Sequence, residues 1–343
     1  MAKETDIAVK EVRRSTERYA YRMPLKFGGV PVSETELLNV EVQVESRAGR
    51  RAWGEGSMPF GNTWAFPSKR VPYEQTLGAM RRLSELIADE LPRCGLCGHP
   101  VELADALEPR WLELAERVTD ELRLAEPLPK LATLVVASPF DAAVHDAYGK
   151  LHGRHVYECY GPEWLNRDLS QFLDQQFRGE YLDRYVLERP KLRMPLYHLI
   201  GALDPLTDAD LTERLDDGLP NTLAEWIQHD ELTHMKIKLN GNDADWDTNR
   251  ILSIDAVASE VQTRRGCRTW VYSLDFNEQC PNVEYLIEVL RRVREGNEAA
   301  YRRVAYIEQP TARDLKAHPE NRMHAAARIK PVVIDESLID LES

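Results

Sequence analysis

Beyond about Lys191 the sequence alternates short apolar runs with helical patterns, and this alternation limits the possible fold more than any other feature. Five runs have the character of strands: "MPLYHLIGA", "HMKIKLNG", "TWVYSLDFN", "VAYIEQP" and "PVVIDES". Between them lie "TLAEWIQHDEL", an apolar stripe from Ile251 to Val261, and "NVEYLIEVLRRVREG". Strands that alternate with helices predict βαβ units and a parallel sheet.

Polar side chains lie at the carboxyl end of the last four runs. In chain order they are Lys236 and Lys238, then Asp275 and Asn277, then Glu308, then Asp335. From Lys238 onward, the charged strand ends are 37, 33 and 27 residues apart, close to a βα repeat of roughly 30 residues. In a (β/α)8 barrel the carboxyl ends of the strands meet at one face, where enzymes of this architecture place their chemistry. We therefore expect these side chains to lie together.

The three carboxylates, Asp275, Glu308 and Asp335, would repel one another at this face unless a cation joined them. A hard divalent ion explains their coexistence, and ligation by oxygen alone favours Mg²⁺ or Mn²⁺ over zinc. The alternative is that each acid caps the helix that follows its strand, as acids at helix starts commonly do. Three acids at the same position of successive repeats favour the metal.

The two lysines, Lys236 and Lys238, are one strand period apart and so point to the same side of the sheet. Neighbouring ammonium groups lower each other's pKa, and partial burial lowers it further. We therefore expect a lysine that is neutral near pH 7 and acts as a base. The alternative is an edge strand that uses lysines against aggregation, which is hard to reconcile with a closed barrel.

The N-terminal part has a different pattern, with two strands followed by helices. "NVEVQVES" alternates apolar and polar residues, and "RAGRRAWGEGS" supplies a turn and a second strand. Apolar residues from Leu77 to Leu91 recur at helical spacing. A further helix is expected with Ser138 as its cap, Pro139 at its first position and Gly153 as its stop. This part is therefore α+β.

Composition and net charge indicate which classes of binding partner the protein can have. The 343 residues are 43% hydrophobic, enough for two domains with cores of their own. A net charge of −13 disfavours nucleic acid and anionic membranes, so a small molecule is the expected partner. The chain shows neither a membrane span nor a secretion signal, which predicts a cytoplasmic protein. The five cysteines are scattered, and "RCGLCGH" is better explained as a turn than as half a zinc knuckle.

The ordered motifs "KIK", "LDFN", "IEQP" and "IDES" resemble the enolase superfamily, in its mandelate racemase and muconate lactonizing enzyme branches. "PLKFGG" and "WGEGS" resemble the opening of the capping domain of that family, and "FDAAVHDAYGKLHGRHVYE" resembles the helix that leads into its barrel. The resemblance runs from about Met23 to Ser337. It implies an α/β fold, with an α+β capping domain at 1–135 and strands 1–5 of an enolase-type TIM-like barrel at 136–343.

The resemblance also implies roles for individual residues. Asp275, Glu308 and Asp335 would bind Mg²⁺, with Mn²⁺ as an alternative, while Asn277 and Glu336 would support them.

For the lysines, the resemblance implies that Lys238 takes the proton α to the carboxylate of a small-molecule substrate, forming a metal-stabilised enediolate. Lys236 would tune the pKa of Lys238 and contact the substrate carboxylate. The expected outcome is racemisation, epimerisation or cycloisomerisation. The alternatives are an acid-sugar dehydratase, which is a lyase, and an inactive remnant or binding protein.

Two loops would close over the substrate in this family. They correspond to "PLKFGG", which contains Phe27, and "GNTWAFP", which contains Trp64 and Phe66. The two aromatic residues of the second loop would form an apolar wall. Packing of that loop is an equally good explanation for them.

The sequence ends at "IDESLIDLES", directly after the fifth expected strand. Closing an eight-stranded barrel would take three more βα units, on the order of 80 to 100 residues. We expect a truncated form of a longer protein, which would be a homo-oligomer at full length. The alternative is a short chain that is inactive or completed by a partner. An open sheet with an unpaired edge predicts that the chain alone is unstable or aggregates.

Overall fold

The computed structural model describes residues 2–27, 30–187 and 189–340, except for the side chain of Phe27. Helices, strands and connecting loops alternate along the described chain. None of the helices in these ranges has both the length and the apolar character needed to cross a membrane.

The chain divides into two compact units. The first contains residues 1–20 and 34–191, and the second contains residues 21–33 and 192–343. The boundary expected between residues 135 and 136 lies inside a helix, Lys130–His152, that packs against the N-terminal sheet. A helix cannot be divided between two cores without losing this packing, so the observed boundary follows Lys191 instead.

A three-stranded sheet in the order β1-β2-β3 has most of its residues in the first unit. Its strands are β1 (Ile7–Phe27), β2 (Val30–Ser46) and β3 (Arg51–Pro59). Strands β2 and β3 are antiparallel, and Val42 is paired with Gly54. The alternation in "NVEVQVES" is confirmed, because its three valines are buried on one face of β2.

The α-helices that follow this sheet in the described part of the first unit are α1 (Asn62–Ala65), α2 (Tyr73–Glu90), α3 (Pro100–Glu121) and α4 (Lys130–His152), of which α4 packs on β3. Helix α2 confirms the periodic stripe that begins near Leu77. Helix α3 was not expected from the sequence. It begins after His99, whose Nδ1 accepts a hydrogen bond from the backbone N–H of Val101 at 3.2 Å. The side chain of Glu102 in turn accepts from the backbone N–H of His99. This reciprocal arrangement is a capping box formed with histidine.

Helix α4 begins at Lys130, so the expected start at Ser138 and Pro139 was wrong. The proline has no N–H to donate to the carbonyl of Val135, four residues earlier. The hydroxyl of Ser138 donates to that carbonyl instead, at 2.8 Å, and the helix continues through the proline. The predicted stop is confirmed, because Gly153 ends the helix with a φ of 63°.

Two glycines of "WGEGS" allow α4 to lie directly on β3. A Cβ added at Gly54 would be 2.2 Å from the carbonyl oxygen of Ala143, and one at Gly56 would be 2.1 Å from that of Pro139. Both distances are far below van der Waals contact. These glycines are therefore required by close packing inside the first unit.

The second unit contains a five-stranded parallel sheet in the order β4-β5-β6-β7-β8. The strands are β4 (Tyr197–Ile200), β5 (His234–Lys238), β6 (Val271–Asp275), β7 (Val304–Glu308) and β8 (Val332–Val333). The helices between them are α5 (Leu223–His229), α6 (Ala244–Arg265), α7 (Val283–Gly296), α8 (Glu298–Arg303) and α9 (His324–Ala327). The expected alternation of strands and helices is confirmed.

Candidate active site

The register of the parallel sheet places three charged strand ends side by side. Lys238 is paired with Asp275 between β5 and β6, and Asp275 is paired with Glu308 between β6 and β7. Lys236 lies one strand period before Lys238 and faces the same side. The described structure therefore places Asp275 and Glu308 beside the two lysines.

The lysines form ion pairs with the acids across the strands. Lys236 donates a hydrogen bond to Glu308, and its Nζ lies 3.0 Å from Oδ2 of Asp275. Lys238 donates to Asp275 and, at 3.1 Å, to Oδ1 of Asn277. The side chain of Asp275 is 5% exposed and that of Lys236 is 22% exposed. The cluster is therefore largely buried, with solvent access on the side of Lys236.

These ion pairs overturn the expected electrostatics of Lys236. Burial alone would lower the pKa of this lysine, but the charges of Asp275 and Glu308 outweigh burial and raise its pKa above the ordinary value. Repulsion between the two lysines, which the sequence predicts, is only part of the electrostatics of this pair. Each lysine also lies beside a carboxylate, so Lys236 is a firmly protonated group here.

The carboxylates respond unequally to the same cluster. Burial works to raise the pKa of Asp275, but Lys238 and Lys236 lower it below its usual value. Burial raises the pKa of Glu308, the hydrogen bond from Lys236 opposes this, and the charges of Asp275 and Asp335 raise it again. Glu308 is therefore easier to protonate than an ordinary glutamate, first because it is buried and then because other carboxylates lie near it.

Asn277 ties the ends of β5 and β6 together. Its Nδ2 donates to the carbonyl of Leu239 at 3.1 Å, and its backbone N–H donates to Oδ1 of Asp275 at 2.9 Å. Its φ of 51° lies in the left-handed region, which asparagine tolerates better than most residues. This geometry fits the supporting position expected for Asn277, beside both Lys238 and Asp275.

Gln309, which the sequence argument passed over, organises the exits of β7 and β8. This residue is buried, and its Oε1 accepts from the backbone N–H groups of Asp335 at 3.0 Å and Ser337 at 3.2 Å. Its Nε2 donates to the hydroxyl of Ser337 at 2.7 Å. The available signal was a polar residue between a strand-end acid and a proline in "IEQP".

The donor set fits a hard divalent cation in its chemistry. The charges of Asp275 and Asp335 both raise the pKa of Glu308, and the ammonium of Lys236 provides positive charge between Asp275 and Glu308. As these side chains stand, no three His, Cys, Asp or Glu residues within the described ranges are arranged to hold a metal ion. A cation would therefore have to compete with Lys236 and Lys238 for the same oxygens.

The remaining predicted residues have mixed outcomes. Glu336 is buried next to Asp335, which is half-buried. Phe66 is 2% exposed in the core of the first unit, and Trp64 packs partly buried against that core. The burial of Phe66 favours the packing explanation for this loop, and the apolar wall of a substrate site stays a prediction. The side chain of Phe27 lies outside the described residues.

Comparison with solved structures identifies the architecture. An enolase from Bradyrhizobium, complexed with magnesium and mandelic acid, matches 96% of this chain and 67% of its own, with 19% identity and a TM-score of 0.55. An N-succinyl Arg/Lys racemase from Bacillus cereus matches 96% of this chain and 66% of its own, with 17% identity and a TM-score of 0.55. A dipeptide epimerase from Enterococcus faecalis, complexed with Mg and the dipeptide L-Leu-L-Tyr, matches 98% of this chain and 70% of its own, with 14% identity and a TM-score of 0.53.

These neighbours are enolase-superfamily structures, so the expected fold is confirmed: an N-terminal capping domain followed by part of an enolase-type barrel. The chain spans about two thirds of the length of these neighbours. Searches among known protein families and among curated proteins found no match. At identities of 14 to 19%, the likeness shows a shared fold, and the chemistry has to be argued from the residues of this chain.

Proposed function

We propose that this chain carries the active site of a Mg²⁺-dependent enzyme that removes the proton α to a carboxylate. The outcome would be racemisation, epimerisation or cycloisomerisation. One observation carries the proposal: Lys238, Asp275 and Glu308 lie in register at the carboxyl ends of neighbouring parallel strands. This is the face on which (β/α) barrels place their chemistry.

Asp275, Glu308 and Asp335 would hold the cation, because they are the carboxylates at the exits of β6, β7 and β8. When bound, Mg²⁺ supplies positive charge that offsets the negative charge developing on the substrate as its proton leaves. Mn²⁺ has similar preferences for oxygen ligands and is the expected substitute.

Lys238 is the proposed base. An amine accepts a proton only after it has lost its own, so the ion pair between Lys238 and Asp275 has to open before proton transfer. Asn277 offers the alternative partner, because its Oδ1 already accepts from Lys238 at 3.1 Å and keeps Nζ in place when Asp275 turns away.

Lys236 has a different role from Lys238. Its raised pKa keeps it protonated, so it provides fixed positive charge rather than a base. A protonated ammonium beside the reacting carboxylate makes the loss of the α-proton easier, since the carboxylate gains negative charge as the proton leaves.

The test is exchange of α-hydrogen for deuterium in ²H₂O, with Mg²⁺ present and a library of 2-substituted carboxylic acids. We expect exchange with at least one class of acid. The Lys238→Ala variant should lose it by roughly 100- to 10,000-fold, as is typical when a general base is removed. The exposed Lys191→Ala is the matched control.

Calorimetric titration with Mg²⁺ separates the base from the metal site. Lys238→Ala should retain metal binding, because no carboxylate is removed. Native exchange in Lys238→Ala would remove Lys238 from its role. A wild-type chain that binds neither Mg²⁺ nor Mn²⁺ would contradict the metal assignment.

A further inference from the structure

The carboxylate of Asp247 is fully buried in the first turn of α6. Its Oδ1 accepts a hydrogen bond from the backbone N–H of Asn240 at 2.8 Å. Its Oδ2 accepts from the backbone N–H of Gly241 at 2.9 Å and from the hydroxyl of Tyr285 at 2.7 Å. Burying a carboxylate is costly unless hydrogen bonds replace the lost water, and these uncharged donors provide that compensation. The carboxylate therefore connects α6 both to the chain that follows β5 and to α7.

Two of these donors belong to the turn that directly follows the proposed base. Asn240 and Gly241 are the second and third residues after Lys238. Gly241 has a φ of 74°, in the left-handed region that a glycine adopts without strain. Each oxygen of the carboxylate accepts from one of two successive backbone N–H groups, which fixes the direction of both. Asp247 therefore sets the path of the chain where it leaves β5.

The turn held by Asp247 packs against the turn that follows β6. A Cβ added at Gly241 would be 2.9 Å from the carbonyl oxygen of Phe276, which is too close for any side chain. The two turns are thus in direct backbone contact. A change in the path of the first turn would therefore disturb the second.

Asn277 connects these two turns to the base. Its Nδ2 donates to the carbonyl of Leu239 at 3.1 Å, and Leu239 lies between Lys238 and the N–H groups that Asp247 holds. Its Oδ1 accepts from Nζ of Lys238 at 3.1 Å. A continuous series of hydrogen bonds and one peptide segment therefore connects the buried carboxylate to the amine of Lys238.

We propose that Asp247 is a positioning residue of the active site. It holds the turn after β5 at the place where Asn277 keeps Nζ of Lys238 in position while the ion pair with Asp275 opens. This assignment rests on the proposed function of Lys238. Because Asp247 acts through the turn and Asn277, it affects the rate of proton removal rather than the binding of substrate or metal.

Asp247→Asn tests this assignment with little change in side-chain volume. One backbone N–H of the turn then faces an NH₂ group instead of a carboxylate oxygen. The kcat for α-hydrogen exchange should fall roughly 10- to 100-fold, because small displacements of a reacting group are costly. The KM for the acid and the affinity for Mg²⁺ should stay within about threefold of wild type, since no group that binds either is removed.

Tyr285→Phe is the matched control. It removes one hydrogen bond from the same buried carboxylate but leaves both bonds to the turn. Both variants should have lower melting temperatures than wild type, whereas Asp247→Asn alone should have a much lower kcat at a temperature below both transitions. Equal losses of kcat in the two variants would indicate general loosening of the fold and overturn the assignment.

A double-mutant cycle with Asn277→Ala tests the route. Asn277→Ala should lower kcat by itself, and the addition of Asp247→Asn should have little further effect, because both changes break the same connection to Lys238. Losses that multiply in the double variant would show that Asp247 does not act through Asn277.

Competitive acetylation of lysines, measured by mass spectrometry, follows Lys238 without any substrate. Relative to the exposed Lys191, Lys238 should react roughly two- to tenfold faster in Asp247→Asn, because its amine has lost a hydrogen-bond acceptor. Its rate in Tyr285→Phe should equal that in wild type. An unchanged rate in Asp247→Asn would overturn the assignment whether or not an acid undergoes exchange. A faster rate without exchange on any acid would support the positioning of Nζ and contradict the proposed reaction.

Discussion

The parallel sheet of the second unit has a buried charged cluster at each end, and the two clusters are built differently. At the carboxyl ends of the strands, Lys236 and Lys238 meet Asp275 and Glu308. We call these four residues the carboxyl-end cluster. At the amino ends of β6 and β7, the charges are a single pair centred on Asp255, which is 1% exposed.

The amino-end cluster, defined by Asp255 and its partners, is fully paired. Oδ1 of Asp255 accepts from Tyr272 at 2.8 Å and from Arg303 at 2.6 Å, and Oδ2 accepts from Asn297 at 3.1 Å. The guanidinium of Arg303 lies over the ring of Trp270, 4.0 Å from its centroid. The carboxylate of Asp255 is neutralised by one cation and accepts from two neutral donors, so it does not need a ligand to balance its charge.

The carboxyl-end cluster differs because like charges are crowded in it. Burial and the negative charges of Asp275 and Asp335 raise the pKa of Glu308, so its ionised form is disfavoured, and both lysines of the cluster contact Asp275. Burial of charge is therefore common to both clusters. Crowding of like charges distinguishes the carboxyl end of the sheet, which we assign to catalysis.

The largest effect should come from the carboxyl-end cluster, measured as activity. Glu308→Gln should reduce α-proton exchange roughly 100- to 1,000-fold, the usual loss when one electrostatic group is removed. Thermal unfolding should change little, because Lys236 keeps Asp275 as a partner. The exposed Glu284→Gln is the control, and near-native exchange in Glu308→Gln would break the distinction between the two clusters.

Substitutions in the amino-end cluster should lower the stability of the fold. Arg303→Met leaves the carboxylate of Asp255 buried without its cation, which should lower the free energy of unfolding by about 3 kcal/mol. Urea denaturation measures this change. The double variant Asp255→Asn/Arg303→Met should recover part of it. A loss below about 1 kcal/mol would mean that the pair is not the main support of Asp255.

A substitution at Gln309 should affect both stability and activity, because this residue supports the ends of β7 and β8. Gln309→Ala leaves the backbone N–H groups of Asp335 and Ser337 without their acceptor, which should cost about 2 kcal/mol. Exchange should fall as well, since Asp335 loses its fixed position. The exposed Gln228→Ala should remain within about 0.5 kcal/mol of wild type. Equal stability of the two variants would show that Gln309 organises nothing.

His99, in the first unit, differs from both charged clusters because it is a buried group that stays neutral. Burial lowers its pKa to about 3, helped by the charge of His145, while its Nε2 lies 2.9 Å from the carbonyl oxygen of Cys159. The unfolded chain takes up a proton below the ordinary histidine value, whereas the folded chain does not. Stability should therefore fall as the pH drops from about 6.5 toward 3, by at most about 1.4 kcal/mol per pH unit.

His99→Asn tests this dependence through its slope. The variant should be less stable at pH 7, but its stability should change less between pH 6.5 and 5 than that of the wild type. The exposed His324→Asn should keep the slope of the wild type. Parallel curves for His99→Asn and wild type would assign the acid sensitivity to other groups.

Much of the architecture could be predicted from local patterns. The alternation of short apolar runs and helical stripes predicted all five parallel strands, and the spacing of Lys238, Asp275 and Glu308 predicted their common face. These features depend on periods of two, 3.6 and about 30 residues, which the sequence displays directly. The start of α4 was missed, because a hydroxyl at Ser138 can replace the hydrogen bond that Pro139 removes.

The sequence by itself determined which chemical groups stand at the strand ends, since strand period and repeat length fix their side and their level in the sheet. Only the tertiary structure decided how those groups are paired. Lys236 is protonated because carboxylates from β6 and β7 lie within ion-pair distance, and Phe66 is a core residue because its loop folds onto the first unit. Charge state and burial depend on distances between segments far apart in the chain, and no local pattern contains those distances.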